Sequence, residues 1–317
     1  MRVFHWPGQP CAVQACSVAT LGVFDGVHLG HQRILRRVLE GARGMDVPAV
    51  VITFDRHPQG VLGSPPEPVV TSLEHKLMLF GEMGLDLCMV IRFTEEVGEM
   101  GAADFARTVF RDILHVKELV VGSDWGFGRG REGDAELCKS MSDELGTEVC
   151  VVEAVRVDGE MVSSTAIRSA VNEADLPRAA KLLGRPYSLF GMVVEGVGRG
   201  RKLGFPTANV DVRDELLPRE GVYASRLFAR RRLWPSVTSI GAQRTFSDPA
   251  SVSPLVEVHV LDAKVDLYGR DVEVRLVERL RGQRRFPSAE ALSAQIESDV
   301  AAARESLARA EEPTVFA

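Results

Sequence analysis

Two histidines three residues apart, His28 and His31, stand in Asp25-Gly26-Val27-His28-Leu29-Gly30-His31, directly behind the apolar run VATLGVF (18–24). Gly26 and Gly30 let a backbone turn sharply and pass close to a ligand. An amphipathic pattern follows at 30–42, where Ile34, Leu35, Val38 and Leu39 share one face. The histidines therefore fall between a buried strand and the positive end of a helix. Two imidazole donors beside helix N–H groups suit the phosphate chain of a nucleotide such as ATP rather than a metal.

A second cluster, Ser163-Ser164-Thr165-Ala166-Ile167-Arg168, opens another helix. A serine pair alone is an ordinary helix cap. Arg168 in the first turn is different, because a cation is disfavoured there unless an anion accompanies it. A phosphate supplies that anion, and the two clusters are expected to meet the same nucleotide. Two more loops follow strands. Thr53-Phe54-Asp55-Arg56-His57-Pro58 is one, and Gly122-Ser123-Asp124-Trp125-Gly126-Phe127-Gly128-Arg129-Gly130-Arg131 is the other. Aromatic and arginine residues in the latter suit a flat ring and a phosphate.

The second half carries Gly196-Val197-Gly198-Arg199-Gly200-Arg201-Lys202-Leu203-Gly204-Phe205-Pro206-Thr207-Ala208-Asn209. It is neither a dinucleotide fingerprint nor a P-loop, because Pro206 blocks a long helix and no G-K-[ST] closes it. Thr207 and Asn209, two apart on an extended segment, point the same way. A hydroxyl and an amide carbonyl so placed can hold Mg²⁺ at nucleotide phosphates. Glu257 is a lone acid in the apolar run LVEVHVLD. Beside a magnesium site it becomes a candidate base for phosphoryl transfer to an alcohol.

The elements that must position these residues change character along the chain. In the first half, strand-like runs at 18–24, 47–54, 85–93, 117–125 and 147–155 alternate with helical patterns at 30–42 and 102–114. That alternation predicts a doubly wound parallel sheet of Rossmann-like form, with ligands at the carboxyl ends of its strands. After Leu182 the strand-like runs LFGMVVEGV, GVYASRLF, LWPSVTSIG, LVEVHVLD and DVEVRLVERL are separated by turns. They predict a small antiparallel barrel closed by one helix entered at Pro287–Ser288. The expected domains are 1–184 and 185–310, with a tail at 311–317.

In this order and spacing, G-x-F-D-G-x-H-x-G-H, T-F-x-x-H-P, the G-x-D-x-x-F-G loop and S-S-T-x-I-R resemble the first module of prokaryotic bifunctional riboflavin kinase/FMN adenylyltransferase. G-R-x-L-G-F-P-T-A-N, G-V-Y (221–223), S-I-G (239–241), E-V-H (257–259) and D-L-Y-G (266–269) resemble its kinase module. The resemblance implies ATP contacts at Phe24, Gly26, His28, His31, Ser164, Thr165 and Arg168. It implies placement of FMN or adenosine by His57, Asp124 and Phe127. In the kinase half it implies an ATP and Mg²⁺ site at Gly198, Gly204, Thr207 and Asn209, Glu257 as base, and Arg281 near the flavin. Riboflavin would become FMN, and FMN would become FAD. Arg56, Trp125-Gly126, Arg244 and Gln283 depart from the family pattern. The alternative these departures allow is an FMN adenylyltransferase with a kinase-like domain of weakened or lost catalysis.

The bulk properties are those of an ordinary soluble globular protein. The chain has 317 residues, a formal charge of −6 and 26% charged residues, with no basic excess for coating nucleic acid. Five scattered cysteines without a C-x-x-C read as reduced thiols. No apolar run reaches membrane-helix length, and the amino terminus lacks an apolar signal core. The expectation is a cytoplasmic enzyme of small-molecule substrates, without nucleic acid or membrane partners; the sequence leaves its oligomeric state open.

Overall fold

Short runs of β-branched and aliphatic residues with no polar face are stable only when covered on both sides. The first half builds its sheet from such runs: β1 (Arg2–Trp6), β2 (Ser17–Leu21), β3 (Ala49–Phe54), β4 (Leu87–Ile91), β5 (Val116–Gly122) and β6 (Glu148–Val152). All pairings are parallel, in the order β1-β4-β3-β2-β5-β6. Every residue of β2 and β4 is buried. The chain runs outward from β2 through β3 and β4, then returns to β5 on the other side of β2. This reversal is the switch point where doubly wound sheets open a crevice beyond their carboxyl ends. The computed structural model describes residues 1–9, 13, 16–56, 68–195, 204–244, 252–263 and 265–310, and not the side chains of 242–244 and 252–254.

Helix α1 (Leu29–Met45) buries Leu35, Val38 and Leu39 of the expected stripe, with Ala42 beside them, while Ile34 is half-buried. Helix α2 (Leu73–Met83) and strand β1 are additions to the sequence reading. The segment 102–114 is helical as expected, but only Ala102–Phe105 is α; Ala106–Ile113 is a π-helix. Its wider turn lets the Leu114 N–H reach the Val109 carbonyl at 3.1 Å. Phe105, Phe110 and Leu114 thereby all face the core.

Contacts divide the chain into two compact units, Met1–Pro68 with Leu73–Ser163, and Val69–Ser72 with Ser164–Ala317. Beyond a short hairpin, β7 (Arg156–Val157) and β8 (Glu160–Met161), the second unit begins with α3 (Ser164–Glu173) and α4 (Leu176–Leu183). It continues with β9 (Ser188–Val194), β10 (Ala208–Asp211), β11 (Gly221–Ala229), β12 (Arg232–Arg244), β13 (Val252–Val260), β14 (Asp271–Arg281) and α5 (Ala289–Arg309). The six strands close a barrel, β10-β13-β12-β11-β14-β9, antiparallel throughout. Helix α5 is capped by Ser288, whose hydroxyl accepts from the Ala291 N–H. Its Ala303 and Leu307 pack with Val222, Ala224 and Val237 on one side of the barrel wall.

Val69–Ser72 is held in the second unit by Glu215, only 4% exposed. One Glu215 oxygen accepts from the Ser72 N–H at 2.9 Å and the Ser72 hydroxyl at 2.8 Å; the other accepts from the Phe190 N–H at 2.8 Å. Backbone bonds Leu216 N to Val69 O (2.7 Å) and Val69 N to Asp214 O (3.2 Å) flank it. Removing the carboxylate strands three donors, two of them buried. Glu215→Ala is expected to lower unfolding stability by about 3 kcal/mol, read by denaturant titration.

Candidate active sites

The first site is built at the end of β2. Beyond Leu21 the chain departs from the sheet through an irregular loop, with Phe24 at φ 54°, Gly26 at φ 86° and Val27 at φ 41°. A β-branched residue in the left-handed region is strained, so the surroundings must hold it there. They do so through its carbonyls. Trp125 Nε1 donates to Leu21 O at 2.8 Å, Lys76 Nζ to Val23 O at 3.0 Å, Thr53 Oγ1 to Val23 O at 3.3 Å and Gln32 Nε2 to Val27 O at 2.9 Å. Side chains of β3, α1, α2 and the loop after β5 thus take over the ladder that the strand has left.

His28 is the N-cap of α1, and its Nδ1 accepts from the His31 N–H at 3.3 Å. A neutral imidazole accepting at Nδ1 carries its hydrogen on Nε2, which leaves Nε2–H as a donor. The His28 and His31 rings stack at 3.5 Å, with 15° between their planes. The Phe24 ring stands edge-on to His31 at 5.1 Å, and Phe80 edge-on to Phe24 at 5.7 Å. A Cβ on Gly30 would come within 3.2 Å of the His28 ring, so this position keeps the imidazole in place by having no side chain. The first turn of α1 contains no acid. Its positive end and two aligned imidazoles make a donor surface for an anion.

Lys76 is a functional residue that the sequence reading missed. It is buried on α2, one turn before Phe80, so the helix supports Val23 with its ammonium and Phe24 with its phenyl ring. Burial pushes the Lys76 pKa down, opposed by the carboxylates of Asp25 and Asp55. A lysine among the apolar residues of LEHKLMLF was the available signal.

The loop after β5 divides its labour. Phe127 is 6% exposed, stacks on Trp125 at 4.6 Å and packs 5.7 Å from Phe105 and Phe110. It belongs to the core and fixes the loop from below, leaving no face for a flat ring. Paired bonds of 2.9 Å between Phe127 and Gly133 close the loop. Asp124 is exposed, and Arg131 donates to its carbonyl at 3.0 Å. His57 lies outside the described residues, as does Gly198. In the second unit, Ser164 and Arg168 are one turn apart on α3, with Thr165 exposed between them. Ile167, Ala170 and Val171 bury the opposite face.

The barrel places the residues expected to carry its chemistry on its outer wall. Val256 and Val258 are each 1% exposed and point inward, so Glu257 between them points outward. In the β10–β13 ladder Asn209 stands opposite Glu257 and Val210 opposite Val256. Facing residues of an antiparallel pair share a side, with Cβ atoms about 5 Å apart. Asn209 and Glu257 are thus neighbours, and Thr207 lies just before Ala208, the first paired residue of β10. On the other flank Glu257 stands opposite Ser239. Gln283 Nε2 donates to Ser239 Oγ at 2.9 Å and Ile240 O at 3.0 Å. A glutamate at position 283 has no hydrogen for that carbonyl, which gives this departure a local reason. Gly204, at φ 88°, turns the chain just before Phe205. Arg281 forms a two-bond pair with Asp299 at 2.8 and 2.6 Å and lies 5.7 Å over the Phe286 ring. Its guanidinium therefore fastens α5 to β14.

With the geometry established, comparison with known proteins is informative. A family model described as FAD synthetase matches residues 12–166, and one described as riboflavin kinase matches 183–307. The bifunctional riboflavin kinase/FMN adenylyltransferase of Escherichia coli K12 is 37% identical over 296 residues, covering 93% of this chain and 94% of its own. Its counterpart in Pseudomonas fluorescens is 38% identical over 287 residues, covering 90% and 92%. A crystal structure from Streptococcus pneumoniae, described as a macrolide-efflux protein, superposes with a TM-score of 0.82 at 30% identity, over 96% of this chain and 99% of that one. Among the described residues no helix is long and apolar enough to cross a membrane. Two family models that together match most of the chain, with relatives 37% and 38% identical over 93% and 90% of it, lead to one conclusion: the chain belongs to the bifunctional riboflavin kinase/FMN adenylyltransferase family.

Proposed function

We propose that the barrel unit phosphorylates riboflavin to FMN and that the loop after β2 serves the transfer of an adenylyl group from ATP to FMN, giving FAD and pyrophosphate. The observation that supports this most directly is the cross-strand pair Asn209–Glu257 on the outer barrel wall. It puts an amide oxygen and a carboxylate side by side, as a kinase acting on an alcohol requires.

In the kinase reaction Glu257 accepts the proton of the riboflavin 5′-hydroxyl as that oxygen attacks the γ-phosphorus of ATP, and ADP leaves. Thr207 and Asn209 offer a hydroxyl and an amide oxygen, hard donors that fit Mg²⁺ alongside phosphate oxygens. Bound there, Mg²⁺ neutralises phosphate charge. Gly198 and Gly204 flank the same nucleotide, and Arg281 with Phe286 borders the flavin.

In the adenylyl transfer an FMN phosphate oxygen attacks the α-phosphorus of ATP in line. His28 Nε2–H, His31 and the first-turn N–H groups of α1 stabilise the departing charge, with Phe24 and Gly26 shaping the loop that presents them. The family resemblance assigns Ser164, Thr165 and Arg168, at the start of α3, to the ATP phosphates. Asp124 and His57 place FMN or adenosine, with Phe127 anchoring the loop that carries Asp124. A cytoplasmic setting agrees with the free thiols of Cys16, Cys88, Cys138 and Cys150. Burial raises Cys88 and Cys138 to about 12, which keeps both inert. The acidic net charge offers no field for nucleic acid.

His31→Ala is expected to cost about 3 kcal/mol in the transition state of FMN adenylylation, roughly a hundredfold in rate, with riboflavin phosphorylation unchanged. Steady-state assays with supplied FMN check this; full FAD formation would remove the imidazoles from the mechanism. Glu257→Gln is expected to lower riboflavin phosphorylation by about 10²-fold or more while FAD still forms from supplied FMN. A kinase rate within threefold of the parent in that variant, on the order of experimental scatter, would rule out Glu257 as the base.

A further inference from the structure

His259 has no part in the mechanism described so far. It lies two residues after Glu257 on β13 and so projects from the same outer wall. Its Nδ1 is 2.8 Å from the carbonyl oxygen of Pro206. Its ring stands edge-on to Phe205 at 5.6 Å, with 80° between the planes. A carbonyl only accepts, so Nδ1 carries the hydrogen and donates. Pro206 immediately precedes Thr207, and strand pairing of this segment begins only at Ala208, opposite Val258. Before that point, His259 supplies the bond that ties the incoming chain to the strand carrying Glu257.

This has a mechanical consequence. Thr207 is not in the ladder, so backbone pairing does not set its position relative to Glu257. A proline just before it removes one N–H that could otherwise have paired. A side-chain donor on the base-bearing strand fills the gap. The ring also seats Phe205, and the two contacts together fix both the height and the direction of the chain as it enters Thr207.

We infer that His259 is a positioning residue for riboflavin phosphorylation: by holding the Pro206 carbonyl and the Phe205 ring it sets Thr207 beside Asn209 for the nucleotide. The inference rests on the assignment of Thr207 and Asn209 to the kinase nucleotide. The group that matters is a hydrogen-bond donor at the Nδ1 position. Asparagine places its amide nitrogen near that point, whereas phenylalanine keeps an aromatic ring and loses the donor.

The test compares His259→Phe and His259→Asn in the full-length chain, with MgATP as the varied substrate. Loss of a group that orders the nucleotide equally in ground and transition states raises KM and spares kcat. His259→Phe is expected to raise the KM for MgATP in riboflavin phosphorylation roughly tenfold with kcat within about twofold, and His259→Asn to return KM to within about threefold of the parent. Adenylylation of supplied FMN is expected to be unchanged in both. Amide hydrogen exchange over Gly204–Asn209 in the nucleotide-free chain gives a second readout. It is expected to quicken in the phenylalanine variant and to recover in the asparagine variant.

A phenylalanine variant with parental KM and parental exchange overturns the inference, as do two variants impaired alike or a loss confined to kcat. If the phenylalanine variant does not fold, the asparagine variant decides: parental KM and parental exchange support the inference, and a raised KM overturns it. Thr207→Ala separates this from the underlying assignment. If that variant keeps the parental dependence on MgATP, the nucleotide assignment itself fails. If it is impaired while His259→Phe is not, only the role of His259 fails.

Discussion

A strand covered on both faces has nowhere to display a reactive group except beyond its end, and this constraint shapes the first unit. Every residue of β2 is buried, so its chemistry begins only where hydrogen bonding to the sheet stops. Leaving the sheet exposes carbonyls that have lost their partners, and each must be satisfied. Trp125, Lys76, Thr53 and Gln32 do this for Leu21, Val23 and Val27. The loop is consequently held in an arrangement that its own backbone disfavours, with Val27 in the left-handed region. The histidine stack depends on that support: His28 caps α1 only because the loop delivers it there.

The barrel answers the same demand differently. Its strands have one covered side and one partly open side, so alternation alone selects which residues meet a substrate. Val256 and Val258 fill the interior while Glu257 and His259 face outward, and the ladder with β10 supplies Asn209. The departing chain needs no strained loop. It needs only the register to hold, and a one-residue slip would carry Glu257 to the wrong side. Helix α5 covers part of the same wall through Ala303 and Leu307 and is fastened by the Arg281–Asp299 pair.

Much of this was legible in the sequence, because it rests on periodicity and on motifs that follow strands. The alternating architecture, the barrel, the helix entered at Ser288 and the placement of His28 and His31 at a strand-to-helix junction all have local signals. Other features do not. β1 is only five residues long and exists because β4 offers it an edge. The π-helical turn at Ala106–Ile113 depends on what Phe105, Phe110 and Leu114 must pack against. Phe127 read as a ring-binding wall, yet it lies in the core, since a loop aromatic beside glycines gives no sign of which way it turns. Lys76 was missed because its partner is a backbone carbonyl 53 residues away. Glu215 and His259 likewise act on Ser72, Phe190 and Pro206, contacts that only the folded chain creates.

The central claim is that two separable sites on one chain act in sequence, the barrel wall first and the β2 loop second. The most direct measurement mixes His31→Ala and Glu257→Gln proteins with riboflavin, ATP and Mg²⁺ and resolves the flavins by chromatography over time. The mixture should accumulate FMN and then FAD, while His31→Ala alone accumulates FMN with FAD formation slowed about a hundredfold and Glu257→Gln alone consumes riboflavin about a hundredfold more slowly. A mixture yielding no more FAD than either protein separately would contradict the account.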